Sequence, residues 1–168
     1  MDKTDHPHSI ITNDPSLEWR HLNKSDFSNT LGPIELAYHA SDEPVWLARM
    51  TVRKKHLNLG GVCHGGVLLS LVDIAMGTAA YMAGGNKPCA TIQLDSQFLS
   101  AAKLDQALIA IAKLNRRTKD ISFMKCELWG GGRQVLSANG VWKYLSLKNA
   151  ASLIPTPAPN PAQNPAQE

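Results

Sequence analysis

Residues 67–82 constrain this chain more than any other stretch. Val67, Leu68, Leu69, Leu71, Val72, Ile74, Ala75, Met76, Ala79 and Ala80 fall on nearly every side of a helix, so almost no face is left for water and the helix must be enclosed by the rest of the fold. Ser70, Asp73 and Thr78 interrupt the run, which falls short of the ~20 residues a bilayer-spanning helix needs; this predicts a buried central helix and no membrane span. Asp73 is the anomaly. A carboxylate between Val72 and Ile74 is costly to bury unless it has hydrogen-bond donors or faces a wet cavity. Ser70, Asp73 and Gly77, at i, i+3 and i+7, form a narrow polar or small stripe that predicts the wall of a pocket. An aspartate tied to neighbouring backbone is the other reading of the same pattern.

What encloses the helix is written on either side of it. Residues 34–40 and 45–52 are plausible strands separated by the turn-forming Ser41-Asp42-Glu43-Pro44. Gly84-Gly85-Asn86 ends the helix, and Thr91, Ile92, Gln93, Leu94 and Phe98 open a second group of strands with partial period-two alternation. Residues 105–114 are apolar on both faces. Residues 121–129 and 133–145 follow, joined by Gly130-Gly131-Gly132, a turn suited to an antiparallel hairpin. The order strand, strand, helix, four strands is an α+β class. One helix covers one face of such a sheet, so the outer face of the doubly apolar strand is expected to pack on another subunit.

A chain of 168 residues fits one domain. The expected division is an arm at 1–25 with a short helical turn around residues 15–20, a folded domain at 26–148, and a disordered tail at 149–168. The tail is proline-rich and writes Asn-Pro-Ala-Gln twice, which opposes helix and ladder alike.

Charge and cysteine usage narrow the partners. The net charge is +3, with short basic clusters only at Arg53-Lys54-Lys55 and Arg116-Arg117, so nucleic acid is not demanded and a modest anionic ligand suits better. No export signal is expected from the polar N-terminus. Cys63, Cys89 and Cys126 are odd in number and form neither a C-x-x-C pair nor a metal cluster with the six histidines. Reduced thiols in a cytoplasmic protein with no metal and no cofactor are the simplest expectation.

The chemistry concentrates just before the helix, in Asn58-Leu59-Gly60-Gly61-Val62-Cys63-His64-Gly65-Gly66. Gly65 and Gly66 stand at the helix start, where the first N–H groups lack intrahelical partners and the helix field favours negative charge. An oxyanion could be held there, and glycine removes the side chain that would keep a carbonyl away; a plain tight turn is the simpler alternative. Adjacent side chains in an extended segment point apart, which argues against a Cys63–His64 nucleophilic pair. No Gly-x-Ser-x-Gly elbow exists, and the glycines lack the Lys-Ser/Thr ending of a phosphate-binding loop.

Asn58, five residues, His64-Gly65-Gly66, six residues, Asp73, then Thr91-Ile92-Gln93-Leu94 and Phe98-Leu99-Ser100-Ala101-Ala102-Lys103 form a spaced set. It resembles the hotdog-fold thioesterase superfamily, in its phenylacetate-pathway (PaaI-like) and thioesterase-superfamily-member-2 branch, over roughly residues 31–145. The resemblance implies an antiparallel sheet wrapped around one long helix, acyl-CoA as substrate, and active sites at the boundary of a homodimer or homotetramer. It further implies that Asp73 is general base or nucleophile, that Gly65 N–H is the oxyanion donor, that Asn58 positions water, that His64 supports the carbonyl, and that Thr91 helps place the water. Asp73 and Thr91 would face Asn58, His64 and Gly65 of the other subunit. Two residues depart from the pattern: Ala101 stands where proline is common and Asp105 where glycine is common. Arg116 and Arg117 are candidates to meet the phosphates of coenzyme A. An enoyl-CoA hydratase or dehydratase is the rival within the fold, and a non-catalytic acyl-CoA-binding protein is the rival outside catalysis.

Overall fold

The structure, a computed structural model, describes residues 14–22 and 26–146. The expected tail at 149–168 lies outside the described residues, as does the first part of the arm.

The elements run β1 (Arg20–His21), α1 (Asp26–Leu31), β2 (Glu35–His39), β3 (Val45–Thr51), α2 (Gly65–Ala83), β4 (Cys89–Phe98), β5 (Ala107–Arg117), β6 (Ile121–Gly130) and β7 (Arg133–Tyr144). A one-turn 3-10 helix at Lys54–His56 follows β3. The strands form one antiparallel sheet in the order β1-β2-β3-β5-β6-β7-β4, and α2 packs against β3, β4, β5, β6 and β7. This is the α+β architecture the helix demanded.

The inner face of the sheet buries one side of α2, whereas Leu69, Asp73, Ile74 and Thr78 on its other side are half-buried and Tyr81 and Met82 are exposed, so the enclosure expected on nearly every side is met on one side within a single chain. Trp46, Ala48 and Met50 from β3, Leu108, Ala110 and Ala112 from β5, Met124, Cys126 and Leu128 from β6, and Leu136, Ala138 and Trp142 from β7 close one core on Leu68, Leu71, Val72, Ala75, Met76, Ala79 and Ala80. Small residues at Ala48, Ala110, Ala112, Ala79 and Ala80 let helix and sheet approach closely. By length and composition alone α2 could cross a bilayer, but its inner side packs on the sheet. Its C-terminal end is pinned by Tyr144, whose hydroxyl donates to the Ala80 carbonyl at 3.1 Å.

The hairpin after β6 closes as its glycines required. Gly130 pairs with Arg133, leaving Gly131 and Gly132 as a two-residue loop at φ +59° and +75°, and two successive left-handed residues match the twist of the flanking strands. Asp105 also sits in the left-handed region, at φ +60°. Its carboxylate pairs with Arg53 at 3.0 Å. The conformation is one that favours glycine, and aspartate is one of the few side chains that tolerate it.

The outer face is covered differently from expectation. Ala37, Val45, Leu47 and Ile111 form a second buried cluster, packed by Leu17, Trp19, Ile109 and Trp129. Leu17 and Trp19 belong to the arm. Arg49 lies over the Trp19 ring at 4.0 Å from its centroid and donates to Glu35 at 2.7 Å, which clamps the arm to the sheet. The arm makes its turn at Pro15 and Ser16 and is extended from Arg20 to His21, where it adds a strand beside β2. The second face of β5 is therefore covered in part within one chain, with Ile111 buried and Ile109 half-buried.

Candidate active site

Asp73 reaches the surface of a cavity of about 1020 Å³. It is half-buried, and its Oδ1 accepts a hydrogen bond from Thr91 Oγ1 at 2.8 Å. Gly77 lines the same cavity, as the stripe predicted. Ser70 does not; its hydroxyl turns back to donate to the Gly66 carbonyl at 2.8 Å.

Thr91 faces Asp73 because β4 is irregular. The β4–β7 register slips between Thr91 and Gln93, so Ile92 is an extra residue. Cys89 and Thr91 face α2 before the bulge, whereas Leu94 packs on the core after it and Phe98 reaches the start of α2. A one-residue insertion reverses the parity of a strand and re-aims the side chains around it.

The second half of the site is built at the helix start. His64 caps α2, its Nδ1 accepting from Gly66 N–H at 2.9 Å, so a neutral ring carries its proton on Nε2 and offers it outward. Gly66 N–H is thereby engaged; Gly65 N–H finds no acceptor among the described residues. Each glycine answers a close approach. A Cβ on Gly66 would meet His64 Nδ1 at 3.1 Å, and one on Gly65 would meet the Phe98 ring at 3.2 Å. Asn58 folds the preceding loop: its Oδ1 accepts from Gly60 N–H at 2.9 Å and Val62 N–H at 3.4 Å. Its amide N–H groups find no acceptor among the described residues. His56, buried behind the loop, accepts from Arg53 N–H at 2.9 Å through Nδ1 and donates from Nε2 to the Leu31 carbonyl at 2.7 Å. Burial holds its pKa below the ordinary histidine value. His64 N–H in turn donates to the His56 carbonyl at 2.8 Å, so His56 supports the loop that carries the candidate donors. Its neighbours gave no periodic or motif signal for this role.

One chain does not unite the two halves. Gly65 lines a separate pocket of about 340 Å³ with Cys63, Leu68, Phe98, Leu99, Ser100 and Ala101, where the small Ala101 forms part of the wall. Eight residues separate Gly65 from Asp73 on α2, about 12 Å along the axis. A single thioester carbonyl cannot touch both.

The thiols divide. Cys63 is buried and its pKa is pushed up to about 11 by desolvation, which makes it a poor nucleophile. Cys126 is driven up further by full burial. Cys89 lines the Asp73 cavity, raised by burial and then by the Asp73 charge. Arg116 and Arg117, at the exposed end of β5, line neither cavity. Among the described residues no group of His, Cys, Asp and Glu could hold a metal.

The profile of the Thioesterase superfamily matches residues 60–137, a span that holds His64, Gly65, Asp73 and Thr91. The candidate esterase PA0474 of Pseudomonas aeruginosa is 30% identical over 119 residues, covering 70% of this chain and 87% of that protein. The chain belongs to the thioesterase superfamily. Within that superfamily, human acyl-coenzyme A thioesterase 13 is 26% identical over 115 residues, covering 68% of this chain and 81% of its own length. The E. coli PaaI protein from the phenylacetic acid degradation operon shares the fold with a TM-score of 0.62 at 23% identity, over 83% of this chain and 90% of that one. The resemblance to the PaaI-like branch and the hotdog architecture it implied are thus borne out. This superfamily member wraps its helix as that fold requires.

Proposed function

We propose that this chain hydrolyses acyl-CoA thioesters, with Asp73 as the carboxylate that delivers or replaces water and Gly65 N–H of a second copy as the oxyanion donor. The observation that carries the reading is the Asp73–Thr91 hydrogen bond of 2.8 Å on the wall of a large cavity. A carboxylate oriented by a hydroxyl and open to a cavity can accept a proton from water or attack a carbonyl itself. An unpaired N–H at a helix start is suited to the negative oxygen that forms. His64 Nε2–H and the Asn58 amide, from the same loop, would serve as further donors, for the carbonyl and for water. The thiolate of coenzyme A leaves readily, so one carboxylate and one oxyanion site suffice.

Two copies related by a twofold axis bring these halves together. The free edge of β4 is ten residues long, and Ile92, Phe98 and Leu99 are exposed on or beside it. An unpaired edge of this length with apolar side chains is a template for a second strand. Pairing β4 to β4 sets the Asp73–Thr91 half of one chain beside the Gly65 end of the other, because β4 runs antiparallel to α2 from Thr91 near Asp73 to Phe98 near Gly65.

The test is Asp73→Asn in a thiol-release assay across a panel of acyl-CoA esters. The expected outcome is a folded oligomer whose kcat falls by ~10²–10⁴-fold. Full activity in the variant rejects Asp73 as the working carboxylate, and no thiol release by the wild-type protein on any ester rejects hydrolysis altogether.

A further inference from the structure

The wall of the Asp73 cavity contains two tryptophans whose indole N–H groups meet no acceptor among the described residues. Trp142 is 1% exposed and Trp46 is 7% exposed, and both line the cavity. Trp46 Nε1 is enclosed without an acceptor, its ring set against Tyr38 with centroids 5.4 Å apart. Trp142 Nε1 likewise makes no hydrogen bond among the described residues; it lies next to α2 at Gly77, where a Cβ would come within 3.3 Å of it. Indole N–H groups inside a protein almost always find a partner, so the Trp142 N–H beside cavity-lining Gly77 marks a place where the partner arrives with the ligand.

The position of Trp142 says which part of the ligand. Thr91 and Trp142 are direct partners across β4 and β7, and Thr91 holds Asp73. Gly77 follows Asp73 by one helical turn, ~6 Å along the axis. An acyl chain whose carbonyl carbon sits at Asp73 and which runs along α2 therefore passes Gly77 and meets the indole N–H a few atoms from the thioester. The absence of a side chain at Gly77 is what leaves that N–H reachable. An acceptor there should be uncharged, since the Asp73 carboxylate stands one turn away and Arg20, on the rim, is already paired with Glu18 at 2.8 Å.

We propose that this cavity selects acyl groups carrying an uncharged acceptor oxygen, a hydroxyl or keto group, that receives the indole N–H of Trp142. The inference rests on the thioesterase reading and names its substrate class: oxygenated acyl chains over plain alkyl chains of equal length.

The experiment compares hexanoyl-CoA with its 3-, 4- and 5-hydroxy derivatives, reading kcat/KM by thiol release in the wild type, Trp142→Phe and Gly77→Ala. The ratio between substrates is the readout, because a loss of stability lowers both rates together. In the wild type the best hydroxyacyl ester should exceed hexanoyl-CoA by about tenfold, the discrimination one neutral hydrogen bond provides. In Trp142→Phe, which deletes the donor, the ratio should fall to near one. Gly77→Ala keeps the indole but shields it with a methyl group, and alanine is favoured over glycine inside a helix; its ratio should fall as well. Equal hydrolysis of all four esters by the wild type overturns the proposal while leaving the thioesterase reading intact, as does a preference that survives both substitutions. No hydrolysis of any ester overturns both.

Discussion

Asp73 illustrates how one residue's environment divides structural from chemical roles. It stands among Val72, Ile74 and Ala75, yet it borders a cavity and takes a hydroxyl partner, Thr91. If Thr91 works by holding the carboxylate and water, Thr91→Ser should retain most activity and Thr91→Ala should lose much of it at nearly unchanged KM; equal effects in the two variants would make Thr91 a packing residue only. His56 governs stability instead. Burial lowers its pKa in the folded chain, against about 6.5 when unfolded, so the unfolded state binds the proton first as the pH falls. Its contribution is complete above about pH 6.5 and is lost as the pH drops through the folded value. The urea midpoint should therefore decline from pH 7 towards pH 5, before the carboxylates protonate, and a flat midpoint over that range rejects the assignment. The sequence exposed Asp73 because a charge among aliphatics is conspicuous. It hid His56, whose neutral, doubly bonded state depends on the Leu31 carbonyl, 25 residues away in sequence.

At the scale of elements, the bulge at Ile92 decides where the site is. Strict alternation through residues 89–98 would put either Thr91 or Leu94 and Phe98 on the helix side, never all three. Deleting Ile92 should therefore abolish hydrolysis and lower the melting temperature, whereas Ile92→Val should do neither; a deletion variant with normal activity would show that β4 keeps its aim without the bulge. This explains why only partial period-two alternation was legible there: the sequence changes phase mid-strand, and periodicity alone cannot say which residue is the extra one. Helix α2 and strands β5 to β7 were legible because each buries a regular face. The strand β1 and the helix α1 were not, being short and held by tertiary contacts such as the Leu22 N–H to Ile34 carbonyl bond of 2.9 Å.

For the whole molecule, the decisive prediction is complementation. Asp73→Asn and His64→Ala damage opposite halves of the site, so in a composite dimer the heterodimer retains one intact centre. Unfolding and refolding the two inactive proteins together should restore about a quarter of wild-type activity for random pairing, and no recovery would place the working site inside a single chain. The arm bears on assembly too. The doubly apolar β5 suggested a partner on the outer face of the sheet, and Leu17, Trp19 and Trp129 supply part of that cover from the same chain. There is a practical corollary for anyone trimming the gene to its recognisable segment. A fragment starting at residue 60 would forfeit Trp46, Ala48 and Met50 from beneath the helix, and one starting after Trp19 would strip the cover from Leu47 and Ile111; either should emerge as insoluble material, so the minimal expressible unit begins no later than residue 17.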